Sequence, residues 1–221
     1  MIRGFAISFV ALAIGVLGQT GAFAGIDQEG YRSSSLSVDG TTAILTPHSF
    51  HPWAGHCALY SVLIFDWTQP RQMETGLVKC SGSTLDGVCT SDHSFTERFD
   101  GSSYFCAQGA TFQLDQAQSA IVQRTAGTTS MWATTAGSYM SQSGFASGHQ
   151  LQALAWAEAT GGSWCPTDSP VGHFAEWKKF SVASGWSYVS VGLLVSDSVG
   201  IFDAPCWSIS TLSTSGDFDA S

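Results

Sequence analysis

One stretch of the chain decides its fold class: Leu151-Gln152-Ala153-Leu154-Ala155-Trp156-Ala157-Glu158-Ala159-Thr160. Successive side chains of a β-strand point to opposite faces. Its four alanines therefore share one face, and the other carries Gln152, Leu154, Trp156, Glu158 and Thr160. A face of small residues suits close packing between two sheets. A face with an amide, an aromatic ring and a carboxylate is furnished like an open ligand-binding cleft.

The rest of the chain repeats this alternation in short runs that Gly, Ser and Asp-Gly turns separate. The runs are rich in Val, Ile, Phe, Tyr, Trp and Thr, which favour strands. No window sustains the apolar stripe of a helix. The sequence therefore predicts an all-β protein of two antiparallel sheets packed face to face, or a jelly roll. Besides the opening stretch, the predicted strands are 41–46, 58–67, 73–80, 95–99, 103–108, 120–125, 130–135, 173–182 and 186–195.

The amino-acid composition limits the classes of molecule that the protein can bind. Only 11% of the 221 residues are charged, against about 25% in ordinary soluble domains. Ser and Thr together supply 51 residues, and 17 acidic residues outweigh 8 basic ones. A protein that binds nucleic acid through its phosphates needs a basic surface, so we expect no nucleic-acid partner. Hydrophobic residues make up 44% of the chain, which excludes intrinsic disorder.

The N-terminus predicts export. Arg3 precedes an uncharged stretch from Gly4 to Gly18, and Ala22-Phe23-Ala24 completes the pattern of a cleaved signal peptide. The alternative is a membrane anchor, which needs about 20 apolar residues. We expect residues 1–24 to be the signal peptide, 25–207 a single β-sandwich domain and 208–221 a flexible polar tail. The mature protein is then a secreted monomer with no membrane span.

Six cysteines lie beyond the predicted signal peptide, at positions 57, 80, 89, 106, 165 and 206. An even number in an exported chain favours disulfide bonds, and no C-x-x-C pair supports zinc. We expect one bond, Cys80–Cys89, because it would close a loop around the turn signal Asp86-Gly87. Cys57 is expected in a disulfide as well, and the remaining pairings stay open.

Glutamate is the informative residue type. The chain has only five glutamates, and four of them fall inside predicted strands, where Glu is normally depleted. Glu158 shares a face with Trp156. Glu74 shares one with Gly76, whose missing side chain would leave room for a ligand backbone. If Glu74 and Glu158 converge, they cannot both ionise cheaply and would hold one proton between them. Such a pair activates water in acid without a metal.

Histidine supplies the other candidate cluster, His48, His51 and His56. Pro47, Pro52 and Gly55 make this segment an irregular loop, unlike the fixed helix or turn of strong zinc sites. We therefore expect loop histidines, no metal and no cofactor.

Two short motifs resemble those of known peptidases. Met73-Glu74-Thr75-Gly76-Leu77 resembles the glutamic-peptidase strand that reads Leu-Gln-Thr-Gly-Val in eqolisins and Ile-Glu-Ala-Gly-Trp in neprosins. Ala155-Trp156-Ala157-Glu158 is similar to the eqolisin segment Ala-Glu-Trp-Ile-Val-Glu, which ends in the catalytic base. The resemblance covers about residues 42–160.

The resemblance implies a lectin-like sandwich that acts as an acid endopeptidase on polypeptides, with Glu158 as base and Glu74 as acid and oxyanion stabiliser. Gln72, Gln152 and Trp156 are the expected substrate-binding neighbours.

Two alternatives remain from the sequence. Eight tryptophans offer stacking surfaces for a sugar, so that a non-catalytic surface or glycan-binding sandwich is the second interpretation. A glycosidase would also use two carboxylates, and Glu97 and Glu176 are then further candidates.

Overall fold

The computed structural model describes residues 26–49, 52, 54–85, 87–160, 172–199 and 207–221. These residues form 14 strands, with no helix among them. The strands are β1 (Ile26–Ser33), β2 (Gly40–Pro47), β3 (His56–Asp66), β4 (Arg71–Ser81), β5 (His93–Phe99), β6 (Tyr104–Thr111), β7 (Gln118–Arg124), β8 (Met131–Thr135), β9 (Ser138–Gln142), β10 (Leu151–Thr160), β11 (Gly172–Ser181), β12 (Gly185–Tyr188), β13 (Gly192–Val199) and β14 (Phe218–Ala220).

The strands build two antiparallel seven-stranded sheets, as the sequence predicts. Sheet A has the order β13-β1-β10-β3-β4-β5-β6. Sheet B has the order β12-β11-β2-β7-β8-β9, and β14 pairs with β11. All the named strand pairs are antiparallel, and the two sheets pack face to face over one hydrophobic core. The predicted β-sandwich is therefore confirmed.

The inner face of sheet A carries the residues that alternation assigned to it. The β10 alanines at 153, 155, 157 and 159 are buried in the core between the sheets, with Val62 and Ile64 of β3 beside them. Hydroxyl groups add polar links across the core: Thr75 of β4 donates to Thr135 of β8 at 2.9 Å, and Thr96 of β5 donates to Ser138 of β9 at 2.8 Å. Buried polar groups need such partners, and these fix the position of one sheet against the other.

Three strands lie outside the predicted runs, and one run divides in two. The run 186–195 covers most of β12, which pairs with β11 in sheet B, and the first half of β13, which pairs with β1 in sheet A. A chain that changes sheet keeps its alternation, so its sequence pattern hides the break. The additional strands are β1, β9 and β14.

The predicted flexible tail is wrong. Phe218 of β14 is buried and stacks on Phe174 of β11 with 4.4 Å between ring centroids. The backbone N–H of Ser221 donates to the carbonyl of Ser208 at 3.0 Å. The segment is small and polar in composition, but Phe218 and Ala220 alternate into the core, so the sandwich extends to the last residue.

The predicted Cys80–Cys89 bond is also wrong, whereas Cys57 does form a disulfide. The bonds are Cys57–Cys80 and Cys89–Cys106. Cys57 lies directly opposite Cys80 on the paired strands β3 and β4, with 4.0 Å between the Cα atoms. Backbone hydrogen bonds between Leu85 and Cys89 close the loop that the expected disulfide would have closed. Cys165, Cys206 and the predicted signal peptide lie outside the described residues.

Candidate active site

The candidate site is the outer face of sheet A, on the side away from sheet B. Alternation continues in register across β1, β10, β3, β4 and β5, so that polar and apolar residues of these strands share this face. A second hydrophobic cluster, which includes Leu59, Leu63, Phe95 and Trp156, lies here beside the buried glutamates. The face is partly covered by the β4–β5 loop, because Leu85 and Cys89 belong to the same cluster.

Glu74 lies on this face, accepts hydrogen bonds from three side chains and is only 3% exposed. Its Oε1 accepts from the Ser61 hydroxyl of β3 and, at 3.1 Å, from the indole N–H of Trp156 of β10. Its Oε2 accepts from the side-chain amide of Gln72, two residues earlier on β4. Hydrogen bonds to a carboxylate favour its charged form. The three donors therefore hold Glu74 in one orientation and favour the anion.

Glu158 is 8% exposed and lies on the same face. Its Oε2 accepts from the amide of Gln28 at 2.7 Å, and Gln28 lies directly opposite it on β1. Sequence reasoning missed Gln28 because the polar run of β1 gives no clear strand signal. Sequence reasoning also missed Ser61. A single serine within the apolar run of β3 was a signal that could have identified it.

Glu74 and Glu158 share a face, but their strands are not neighbours. Leu63 of β3 pairs with Glu74, and Leu59 of the same strand pairs with Glu158. Regular strand spacing then separates their Cα atoms by about 17 Å. The indole of Trp156 lies between them, since it begins on β10 and reaches Glu74 across β3. The two glutamates therefore lie on the same face with Trp156 between them.

The expected substrate-binding residues are all on this face, each with a partner inside the protein. Gln72 and Trp156 donate to Glu74. Gln152 donates to the Ser33 carbonyl at 2.6 Å and accepts from the indole of Trp67 at 2.9 Å. Their contact with substrate stays a prediction.

Gly76 has a different role from the one expected. A Cβ atom built on Gly76 would lie 2.0 Å from the Tyr60 carbonyl oxygen of β3. The space that its missing side chain leaves is therefore filled by the neighbouring strand, and the glycine permits the close approach of β3 to β4.

The two further glutamate candidates separate. Glu97 of β5 lies directly opposite Glu74 on the outer face and is 5% exposed. Glu176 lies on sheet B, where it is exposed, has a φ of 55° and contacts Lys178 at 2.6 Å. Of these two candidates, only Glu97 lies next to Glu74.

The histidine segment holds no cluster of ligands in the part described. His48 contacts Asp115 at 2.7 Å, and burial lowers the pKa of His56. His51 is outside the described residues. Among the described residues, no group of three His, Cys, Asp or Glu side chains is arranged to hold a metal ion.

Solved structures share this architecture. Scytalido-glutamic peptidase with a peptide-based transition-state analog matches 90% of this chain and 98% of its own, with a TM-score of 0.61 and 16% identity. SCP-B, an eqolisin in complex with the tripeptide Ala-Ile-His, gives the same coverage and identity with a TM-score of 0.56.

The chain has the glutamic-peptidase fold. The resemblance of the two strand motifs is thereby confirmed at the level of the fold. No protein-family model and no curated protein matches the sequence. Within the glutamic-peptidase fold of this chain, Glu74 and Glu158 share the outer face of sheet A with Trp156.

Proposed function

We propose that the protein is an exported, metal-independent acid endopeptidase whose active site is the outer face of sheet A. The observation that carries the proposal is the placement of Glu74 and Glu158 on one face of a glutamic-peptidase fold, with the Trp156 indole between them. Two solved proteins of this fold hold peptide ligands, a transition-state analog and a tripeptide. A polypeptide is therefore the proposed substrate class.

In the proposed reaction Glu158 is the general base and Glu74 the acid. Glu158 takes a proton from water while the water oxygen bonds to the scissile carbonyl carbon. Protonated Glu74 donates a hydrogen bond to the oxygen that becomes negative. The C–N bond then breaks, and Glu158 returns its proton to the leaving amine.

The hydrogen bonds around the two carboxylates determine the expected pH range. Three donors favour the charged form of Glu74, so the proton that it needs is present only in acid. Glu158 must be ionised to act as a base, and Gln28 holds it in position. Activity should therefore follow a bell-shaped curve with its maximum below about pH 5.

Gln72, Gln152 and Trp156 are proposed to line the substrate path. Gln152 is anchored at one end of the face by Ser33 and Trp67, and its remaining amide hydrogen can meet a peptide carbonyl. Trp156 would support a substrate side chain with its ring while its N–H stays on Glu74.

Export is part of the proposal. Disulfides persist in oxidising compartments, and the protein has two, Cys57–Cys80 and Cys89–Cys106, in its described part. The same part of the chain contains no helix with the length and hydropathy of a membrane span. We propose a secreted monomer released after Ala24.

The decisive experiment is digestion of an unfolded protein by the secreted protein between about pH 2 and 6. Glu158→Gln should lower the rate about 10²–10⁴-fold, since a general base contributes that much. Glu176→Gln, which changes an exposed glutamate on sheet B, is the matched control and should digest normally. A chelator should have no effect. A wild type that is inert over the whole range, or a fully active Glu158→Gln variant, would reject the peptidase. Hydrolysis of a polysaccharide instead would indicate the glycosidase.

A second candidate function rests on sheet B. A cavity of about 570 Å³ on its outer side is lined by Trp186 and Tyr188, together with Thr42, Ile121, Lys178 and Ser187. Both rings are exposed, and aromatic faces beside hydroxyl groups suit a sugar ring. Glycan binding that is lost in Trp186→Ala but kept in Glu158→Gln would support a glycan-binding module.

A further inference from the structure

Glu97 is the cross-strand neighbour of Glu74. The two residues are a directly opposed pair on the antiparallel strands β4 and β5. Opposed side chains in such a pair have Cβ atoms about 4.5–5.5 Å apart. Both are nearly buried, with 3% and 5% exposure. Two carboxyl groups on directly opposed residues, with little water around them, cannot both carry a negative charge cheaply.

The surroundings of the two carboxyl groups differ. Glu74 receives N–H donors from Gln72 and Trp156 and the hydroxyl of Ser61, which favour its anion. The residue opposite Glu97 on its other side is Cys106 of β6, whose sulfur is bonded to Cys89. Its same-face neighbours along β5, Phe95 and Phe99, are buried aromatics. Burial beside these side chains favours the neutral acid at Glu97. The polar residues diagonal to it on the same face are Gln72 and Gln108.

We infer that Glu97 shares one proton with Glu74 and thereby supplies the proton that Glu74 needs to act as an acid. The inference rests on the proposed peptidase function. At rest the proton is on Glu97 and the charge on Glu74. As negative charge develops on the substrate oxygen, the O–H bond at Glu97 breaks and one forms at Glu74. The pair keeps a charge of −1 throughout, and the proton returns when the C–N bond has broken. Glu97 acts through Glu74 and is a positioning residue.

Arg98, next to Glu97 in the chain, belongs to the other face of β5 by alternation and lies over the Phe105 ring at 4.5 Å. The strand register places the other titratable groups of the outer face further from Glu97 than Glu74 is. Regular spacing places the Cα atom of Arg32, in the same row on β1, about 19 Å away, and that of Glu158 about 20 Å away. His93 lies four residues earlier on β5, about 14 Å away. Tyr104 at the start of β6 is neutral in acid. Asp92 of the β4–β5 loop contacts Lys79 at 3.2 Å.

The first test needs no substrate. Infrared difference spectra of wild type minus variant, recorded near pH 6, should show the C=O stretch of one protonated carboxyl for Glu97→Gln. Glu74→Gln should also give a difference band, because the C=O stretch of Glu97 shifts or disappears when its charged neighbour is removed. Glu29→Gln is the control for loss of a buried glutamate elsewhere in sheet A. The spectrum of this variant should keep the band of the shared proton, so that this band cancels in the difference spectrum. Absence of the band in either the Glu97→Gln or the Glu74→Gln difference spectrum would overturn the shared proton.

The second test uses the pH profile of peptide hydrolysis. Glu97→Gln should fold, lower kcat about 10²–10⁴-fold and move the residual activity to lower pH, because Glu74 must then take its proton from solvent. Glu97→Asp, which keeps a carboxyl group, should recover part of kcat. A Glu97→Gln variant with the wild-type rate and pH profile would overturn the role of Glu97. Inactivity of the wild type would instead reject the peptidase, while the infrared result would still decide the shared proton.

Discussion

Trp156 donates its indole N–H to Glu74 at 3.1 Å although strand β3 separates their two strands. The predicted base, Glu158, is two residues further along β10 on the same face. Trp156 is therefore the physical connection between the two halves of the proposed site. It orients one carboxylate and occupies the space next to the other.

We expect Trp156→Phe to lower kcat/KM about 10–100-fold. The variant keeps an aromatic ring but removes one N–H donor from a buried charged group, a loss of about 1.5–3 kcal/mol. Trp177→Phe is the matched control, because its buried indole donates to the Thr41 hydroxyl in sheet B rather than to a glutamate. Steady-state kinetics and urea unfolding of both variants provide the measurement. Equal activity losses in the two variants would contradict the special position of Trp156.

The two disulfides should differ in their effect on activity. They join residues 17 and 23 positions apart, so the chain-entropy model assigns each about 3 kcal/mol of stability. Replacing Cys89 and Cys106 by alanine should also reduce activity, because Cys106 lies opposite Glu97. Replacing Cys57 and Cys80 removes a bond between strands that are already paired and should reduce activity less. Denaturant unfolding and peptide hydrolysis test the pair, and a larger activity loss without Cys57–Cys80 would refute the expectation.

The C-terminal segment should respond to substitution as part of the folded domain. Gly216 has a φ of 78°, and a Cβ atom there would lie 2.4 Å from the carbonyl oxygen of Trp177. Gly185 has a similar φ of 72° and no atom within 4 Å of that position. Gly185→Ala should therefore cost about 1–2 kcal/mol, the backbone cost alone, and Gly216→Ala more. Thermal and urea unfolding compare the two, and equal costs would mean that the segment is not packed.

Asp217 should contribute stability that depends on pH. The Ser215 hydroxyl, followed by the backbone N–H of Glu176, holds the pKa of Asp217 below its usual range. A depressed pKa in the folded state gives stability that is present above the unfolded value of about 3.9 and is lost as the pH falls through the folded value.

Asp217→Asn should therefore be less stable than wild type at pH 5–7, and the difference should shrink below about pH 4. Urea unfolding at several pH values measures this dependence, and Ser215→Ala should reproduce part of it. A difference that stays constant from about pH 7 to pH 2 would exclude a contribution from the titration of Asp217.

Local alternation predicted much of what was needed for the fold and the face of the site. In β10 the alanines lie inside and Trp156 and Glu158 outside, because strand geometry alone sets the direction of successive side chains. The same rule failed for residues 208–221, where composition suggested a tail while Phe218 is in the core. It also failed at Gly76, since its neighbour across the sheet cannot be read from its own strand.

The sequence by itself determined the class of the fold, the face of each strand and the residue types that the site contains. Only the tertiary structure decided which strands are neighbours and in what register. That register placed Gln28 beside Glu158, Glu97 opposite Glu74 and Cys57 opposite Cys80. The physical reason is that strand pairing is set by contacts between residues far apart in the chain, whereas the direction of a side chain is set by its own backbone.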